Sequence, residues 1–196
     1  MLNTKEEFLE IYNKHIKREG AEQLLKFLEN SDFFVAPAST RRHSSYEGGL
    51  CSHSILAYKR FVKLLTMEYG ENYNEVISDE SVAIIGLLHD LCKVNFYKVD
   101  YRNVKENGNW VQKPYYTVDD TLPYGHGEKS VYMISGFMKL TREEAMAINW
   151  HMGGFDSRFM GGSNTLQIAY ENYPTALIFH TADMWTTYFD EKTDNI

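Results

Sequence analysis

The stretch Ser81–Lys93, SVAIIGLLHDLCK, is a near-continuous apolar run that ends in a histidine and an aspartate. Val82, Ile84, Ile85, Leu87, Leu88 and Leu91 fall on every side of a helix, so the spacing predicts a helix buried all round. His89 and Asp90 at the end of such a helix are costly in isolation, because buried polar and charged groups must be paired or coordinated. Neighbours on a helix point about 100° apart, so neither residue satisfies the other. Other parts of the chain must converge on them.

Upstream, residues 50–69 predict a long helix closed by Gly70. His53, Leu56, Ala57, Phe61, Leu64 and Leu65 recur at helical spacing, which puts His53 on the apolar face. Before it, 33–49 reads as irregular, with Pro37, Gly48, Gly49 and a basic knot, Arg41-Arg42-His43. Two short helices over 4–17 and 20–29, parted by Gly20, open the chain. Downstream, 95–118 is rich in aromatic and β-branched residues around KENG and predicts an inserted β-hairpin. Helices are predicted over 126–138, 141–151, 164–172 and 174–189, the last with Pro174 in its first turn. Residues 152–163 carry four glycines and read as a functional loop. There is no repeat and no linker, so the expectation is one all-α domain over 1–196, a helical bundle with a small β-hairpin.

A chain of 196 residues builds one domain with a real core, and 14 Tyr, 11 Phe and 3 Trp argue for a packed core or a stacking pocket. A net charge of −7 excludes general affinity for duplex nucleic acid, which needs a basic surface, while leaving room for a small anionic ligand held locally. Cys51 and Cys92 are too few for a disulfide framework and suit a reducing compartment. Each lies within three residues of a histidine, so each is either a soft ligand or, more ordinarily, a small buried side chain. No run of about 20 apolar residues predicts a membrane span, and a cytoplasmic location is expected.

Five of the seven histidines fall on apolar helical faces or at helix ends: His53, His89, His126, His151 and His180. A single histidine in such a place is usually a core residue bonded to a carbonyl. Five together with Asp90 and Asp183 point to metal, since imidazole and carboxylate are the usual donors for Mn, Fe, Ni or Zn. His180 and Asp183 are three apart and share a helical face. A bundle builds a metal centre from inward-facing residues on several helices. His53, His89, Asp90, His126, His151 and Asp183 make such a set, able to hold two divalent ions with Asp90 between them.

At this point the sequence resembles the HD-domain metal-dependent phosphohydrolase superfamily, whose signature is a His, a His-Asp pair and a distant Asp. Here these are His53, His89–Asp90 and Asp183, with His126 and His151 matching the two-metal branch. The likeness is closest to the HD domain of the YhaM-type 3′→5′ exoribonucleases. It rests on APASTRRHSSYEGGLCSHS at 36–54, LLHDLCKV at 87–94, YGHGEKS at 124–130, NWHMGG at 149–154 and FHTADMW at 179–185, and spans about residues 33–190. The chain departs from that family in its short helical N-terminal segment where an OB-type domain stands, in Met152 after His151, and in the longer hairpin. These departures favour a small nucleotide or short oligonucleotide over polymeric RNA.

The resemblance implies a phosphohydrolase with two divalent metals, Mn, Fe, Ni, Zn or Mg. Asp90 is then both ligand and catalytic carboxylate, and Lys93 matches a lysine that contacts phosphate. Arg41, Arg42 and His43, in the loop before the first ligand, are candidates for the substrate's phosphates, as is Arg158 in the glycine-rich loop. His180 is expected to orient Asp183 or a neighbouring helix. Trp110, Tyr115 and Tyr116 on the hairpin either stack on a base or cover the core. The alternative reading is a di-iron oxygenase, because some HD-fold proteins use the same six ligands for oxygen chemistry.

Overall fold

The computed structural model describes residues 4–42 and 44–191. His43 lies outside the described residues. Nine α-helices and one two-stranded antiparallel sheet are formed among those described: α1 Thr4–His15, α2 Ala21–Asn30, α3 Gly49–Tyr69, α4 Asp79–Leu88, β1 Tyr97–Glu106, β2 Asn109–Val118, α5 His126–Ser135, α6 Arg142–Asn149, α7 Ser157–Met160, α8 Thr165–Asn172 and α9 Pro174–Trp185. The architecture is thus mostly helical with one hairpin, as the sequence pattern predicts. No helix among the described residues is long and apolar enough to cross a membrane.

α4 is the central element, and every residue from Ser81 to Leu88 is buried. Ser78 caps it by accepting from the Ser81 N–H, and Asp79 and Glu80 sit in the first turn, where negative charge suits the helix dipole. The helix packs against α3, α1 and α6. At the crossing with α3, a Cβ on Gly86 would meet Tyr58 Cα at 2.7 Å. The missing side chain lets the two backbones approach and brings the rings of His53 and His89 to 5.1 Å between centroids. α9 closes the other side of α3, with Phe61 and Phe179 edge to face at 5.1 Å.

The N-terminal helices belong to the same core: Phe8, Tyr12, Leu24 and Leu28 are buried with α4. A buried polar tie fixes them. Glu144, fully buried, takes the Arg18 guanidinium at 2.7 and 2.8 Å, the Ser81 hydroxyl at 2.7 Å and the Thr141 N–H at 2.8 Å. Its lone pairs are therefore spent on the segment between α1 and α2, on α4 and on the capping box of α6.

The element ends depart from the periodicity. α4 stops at Leu88 and α6 at Asn149, so His89 and His151 stand just beyond their helices, and Leu91–Lys93 forms a short 3-10 turn. The reason is the same at both places. A histidine Nδ1–H takes the carbonyl three residues back, Gly86 at 3.0 Å and Ile148 at 2.6 Å, and satisfies an otherwise unpaired C-terminal carbonyl. Residues 152–163 are not plain loop: Gly153–Phe155 forms a 3-10 turn and α7 follows. α9 ends at Trp185 and runs on as a π turn over Thr186–Asp190.

The hairpin is regular from Tyr97 opposite Val118 to Glu106 opposite Asn109. Asn107 and Gly108, both with positive φ, make the two-residue turn that matches strand twist. Most of its length is exposed. Its base is anchored by the Tyr97 hydroxyl, which donates to the Ala38 carbonyl at 3.1 Å, and by Phe96 under the Lys129 ammonium.

Candidate metal centre

The six predicted ligands converge on one place from five parts of the chain. His53 comes from the first turns of α3, His89 and Asp90 from the end of α4, His126 from the first residue of α5, His151 from just past α6, and Asp183 from α9. Asp90 is at the middle, and its two oxygens face different partners. Oδ2 lies 3.5 Å from His53 Nε2, 3.5 Å from His89 Nε2 and 2.6 Å from the Lys93 ammonium. Oδ1 lies 2.8 Å from His126 Nε2 and 3.5 Å from His151 Nε2. Asp183 Oδ1 lies 3.1 Å from His53 Nε2 and 3.9 Å from His89 Nε2.

The nitrogen chemistry favours a cation here. The Nδ1–H groups of His89 and His151 are committed to carbonyls, which leaves both Nε2 atoms as lone pairs. His151 Nε2 is buried and has no hydrogen-bond partner. His53 Nδ1 is bonded to Glu191 Oε1 at 2.6 Å, which aims its own Nε2 at Asp183 and at His89 Nε2, 3.1 Å away. Acceptor lone pairs thus converge on one place, a donor set suited to a cation. A carboxylate or carbonyl behind each imidazole is the usual outer support of a metal-binding histidine. Among the described residues, three groups bring their donor atoms within 4.8 Å of one another: His53–His89–Asp90, His89–His151–Asp183 and Asp90–Cys92–His126. Buried His, Asp and Cys side chains therefore form a site that fits a metal ion.

The protein groups alone resolve the crowding with protons. Burial opposes charge on His53, but Asp183 and Glu191 outweigh it and raise its pKa to about 10. Burial likewise opposes charge on His126, and Cys92 and Asp90 raise it to about 10. Burial pushes His89 down to about 3. Asp90 stays well below the usual carboxylate range, because Lys93, His89 and His126 outweigh its burial. Asp183 is lowered against its burial by His53. Burial opposes the Lys93 charge too, yet Asp90 raises its pKa.

The centre forms the floor of a cleft of about 780 Å³. Arg41 and Arg42, both exposed, stand on its rim, and Lys93, Tyr97 and His180 line it. His180 is set by a bond from its Nδ1 to the His151 carbonyl at 2.6 Å, so it braces the His151 turn rather than Asp183. Arg158 is elsewhere occupied. Its guanidinium lies 3.9 Å over the Trp150 ring, bonds Asp156 at 2.7 Å and Glu128 at 2.9 Å, and is not among the cleft-lining residues. The glycine-rich segment is folded around that arginine, so the expected substrate role does not match its placement. Trp110, Tyr115 and Tyr116 also lie outside the cleft lining, to which the hairpin gives its base, Phe96, Tyr97 and Val118. Trp110 is 71% exposed near the turn, and Tyr115 lies under Arg102 at 5.4 Å.

Glu191 escaped the sequence reading. It follows the last periodic segment and offers no pattern. The fold delivers it because Asp190 pairs with Arg60 of α3, with Arg60 Nε 2.9 Å from Oδ2, which pulls the turn after α9 onto His53.

The brace behind His151 gives a direct prediction. Gly153 has φ +52, and an added Cβ would lie 2.4 Å from the His180 ring. Gly153→Ala is expected to cost about 1–3 kcal/mol, the usual range for a strained non-glycine backbone, and to displace His180 from the His151 carbonyl. Urea unfolding midpoints measure the first effect; loss of the wild-type metal affinity reports the second.

In comparison with known proteins, no family model, no curated protein and no solved structure matches the chain.

Proposed function

We propose that this protein is an HD-type metal-dependent phosphohydrolase acting on a small phosphoester, such as a nucleotide, a cyclic nucleotide or a short oligonucleotide. The observation that carries the reading is the division of Asp90 between His53 and His89 on one oxygen and His126 and His151 on the other. The order His53, His89–Asp90, Asp183 along the chain, matching the signature of that superfamily, supports the same reading.

The residues suited to hold two ions are His53, His89, Asp90 and Asp183 for one, and Asp90, His126 and His151 for the other. Bound divalent ions supply Lewis acidity and a water of near-neutral pKa. The chain itself supplies the rest. Lys93 reaches the cleft floor with its ammonium already desolvated, where its attraction for a phosphate oxygen is strengthened by the low dielectric. Arg41 and Arg42 at the rim offer guanidinium forks that match phosphate oxygens. The cleft volume lies in the range of about 300–1,000 Å³ typical of small-molecule sites. The hairpin base walls one side and favours a small substrate over a long polymer.

The test is a panel of mono-, di- and cyclic nucleotides and short RNA, offered to the protein loaded with each candidate metal, in air and under nitrogen. Hydrolysis that needs metal and ignores oxygen is the expected result. Turnover that requires both iron and oxygen would replace the hydrolase with an oxygenase, and no turnover on any member would overturn the proposal.

A further inference from the structure

The hairpin leaves one of its two faces bare. Directly opposed residues of an antiparallel pair share a face, so the register sorts its side chains. One face carries Val99, Tyr101, Trp110 and Val118, with Pro114 and Tyr116 between them. Those first four are 53%, 60%, 71% and 52% exposed. The other face is closed to water. There Arg102 covers Tyr115 at 5.4 Å, Lys113 pairs with Glu106, and Val104 and Val111 are half-buried. A two-stranded hairpin is marginal in water by itself, and a contiguous apolar patch of this kind marks a contact surface.

We infer that the bare strip docks against the same strip of a second copy of this chain, with the two hairpins antiparallel about a two-fold axis.

Charge selects this occupant. The segment Tyr97–Val118 carries four Lys/Arg and two Asp/Glu in a chain of net charge −7, so it is a basic arm on an acidic body. The strip itself has one formal charge, Lys105, which lies opposite Trp110 at the tip. Its base runs into Asp119 and Asp120, and the Asp119 side chain is exposed and only loosely held, 3.7 Å from Lys98. A two-fold axis lays tip on base, so Lys105 of each copy meets the acidic base of the other, and the same patch serves both copies. One cation is too few for a nucleic-acid track, which must neutralise a row of phosphates, and the acidic body repels polyanions.

The strip is ten residues long and two strands wide, about 33 by 10 Å. That is small for a specific interface, so a weak, micromolar dimer is expected. The pairing also reaches the cleft, because Tyr97 and Val118 at the base of the strip line it. The partner's Trp110 and the partner's Lys105 then stand at its mouth, and each cleft is completed by the other copy.

The experiment is sedimentation of the full chain from micromolar to millimolar concentration, with dilution NMR on the same samples. The wild type is expected to pass from 22.8 kDa to twice that mass, with shifts centred on the strip. Trp110→Glu and Tyr101→Glu should each weaken association by at least about 10-fold, as loss of an aromatic anchor does. Both positions are exposed, so the fold is kept. Met67→Glu, which removes a comparably exposed apolar side chain from α3, should change nothing. Lys105→Glu should weaken the dimer, and adding Asp119→Lys should restore it; a swap that fails to restore it overturns the antiparallel pairing. A chain that stays monomeric at millimolar concentration, or a dimer unaltered by Trp110→Glu and Tyr101→Glu, overturns the inference. A monomer whose strip resonances move on addition of short single-stranded RNA gives the strip to nucleic acid and overturns it as well. Each of these results leaves the metal centre standing.

Discussion

Asp90→Asn is expected to lose bound metal and to lower phosphoester turnover by on the order of 10²–10³-fold or more, because it removes the one charge shared by both halves of the site. Asn keeps the shape of Asp, so steric disturbance is small. What changes is electrostatic. The carboxylate that holds the buried Lys93 ammonium at 2.6 Å becomes a neutral amide, and the lysine charge is left without its partner. Removing one member of a buried ion pair typically costs about 3–5 kcal/mol. A large loss of stability should therefore accompany the loss of activity, and the two are separable. Adding Lys93→Met removes the stranded charge, so the double variant should recover much of the stability while turnover stays lost. Metal content by elemental analysis, urea midpoints and initial rates on the wild type and both variants measure these effects. Asp90→Asn with wild-type metal content and rate would leave the proposed centre without its keystone.

How much of this was legible in the sequence follows from what each residue depends on. The all-round apolar run at Ser81–Leu88 announces a central helix because burial on every side permits no polar stripe. His53 and Asp183 are legible because each sits in a helix whose apolar face is set by its neighbours. His89 and His151 are legible as buried imidazoles, yet their position past the helix ends depends on a bond to a carbonyl three residues back, which periodicity does not encode. The ordinary reading of such histidines, a ring bonded to a carbonyl, holds for one nitrogen of each, and the metal reading concerns the other.

Glu191 is invisible because its place is set by Arg60, 130 residues before Asp190. Arg158 misleads for the opposite reason. Four glycines suggested an open loop, whereas Asp156 caps α7 and draws the guanidinium inward onto Trp150. The hairpin aromatics show that alternation fixes which residues share a strand face, and not what that face meets. Tyr97 reaches the cleft only because it lies at the base, in register with Val118.

Metal binding should expel protons and tighten steeply as pH rises from about 6.5 to about 10. In the metal-free protein His53 and His126 have pKa values raised to about 10 from the ordinary 6.5. Each therefore contributes stability to the metal-free fold that is complete below about 6.5 and is lost as pH rises through about 10. His89 acts in the opposite sense. Held to about 3, it stays neutral in the fold while the unfolded chain takes up a proton, so its contribution is lost as pH falls from about 6.5 toward 3. Metal-free stability should accordingly peak near pH 6.5 and decline on both sides.

A divalent ion needs the same lone pairs that those protons occupy. At any pH below about 10 it must displace up to about two protons, one from His53 and one from His126, and each contributes about a tenfold rise in affinity per pH unit. The metal-loaded and metal-free folds should therefore draw together in stability as pH falls and diverge as it rises toward about 10. Calorimetric titration in buffers of different ionisation enthalpy counts the protons released. Melting with and without chelator at pH 6 and pH 9 reads the divergence. Binding that releases no protons near pH 7.5 would mean that the ion does not take the nitrogens of His53 and His126, and the assignment of ligands would have to be abandoned.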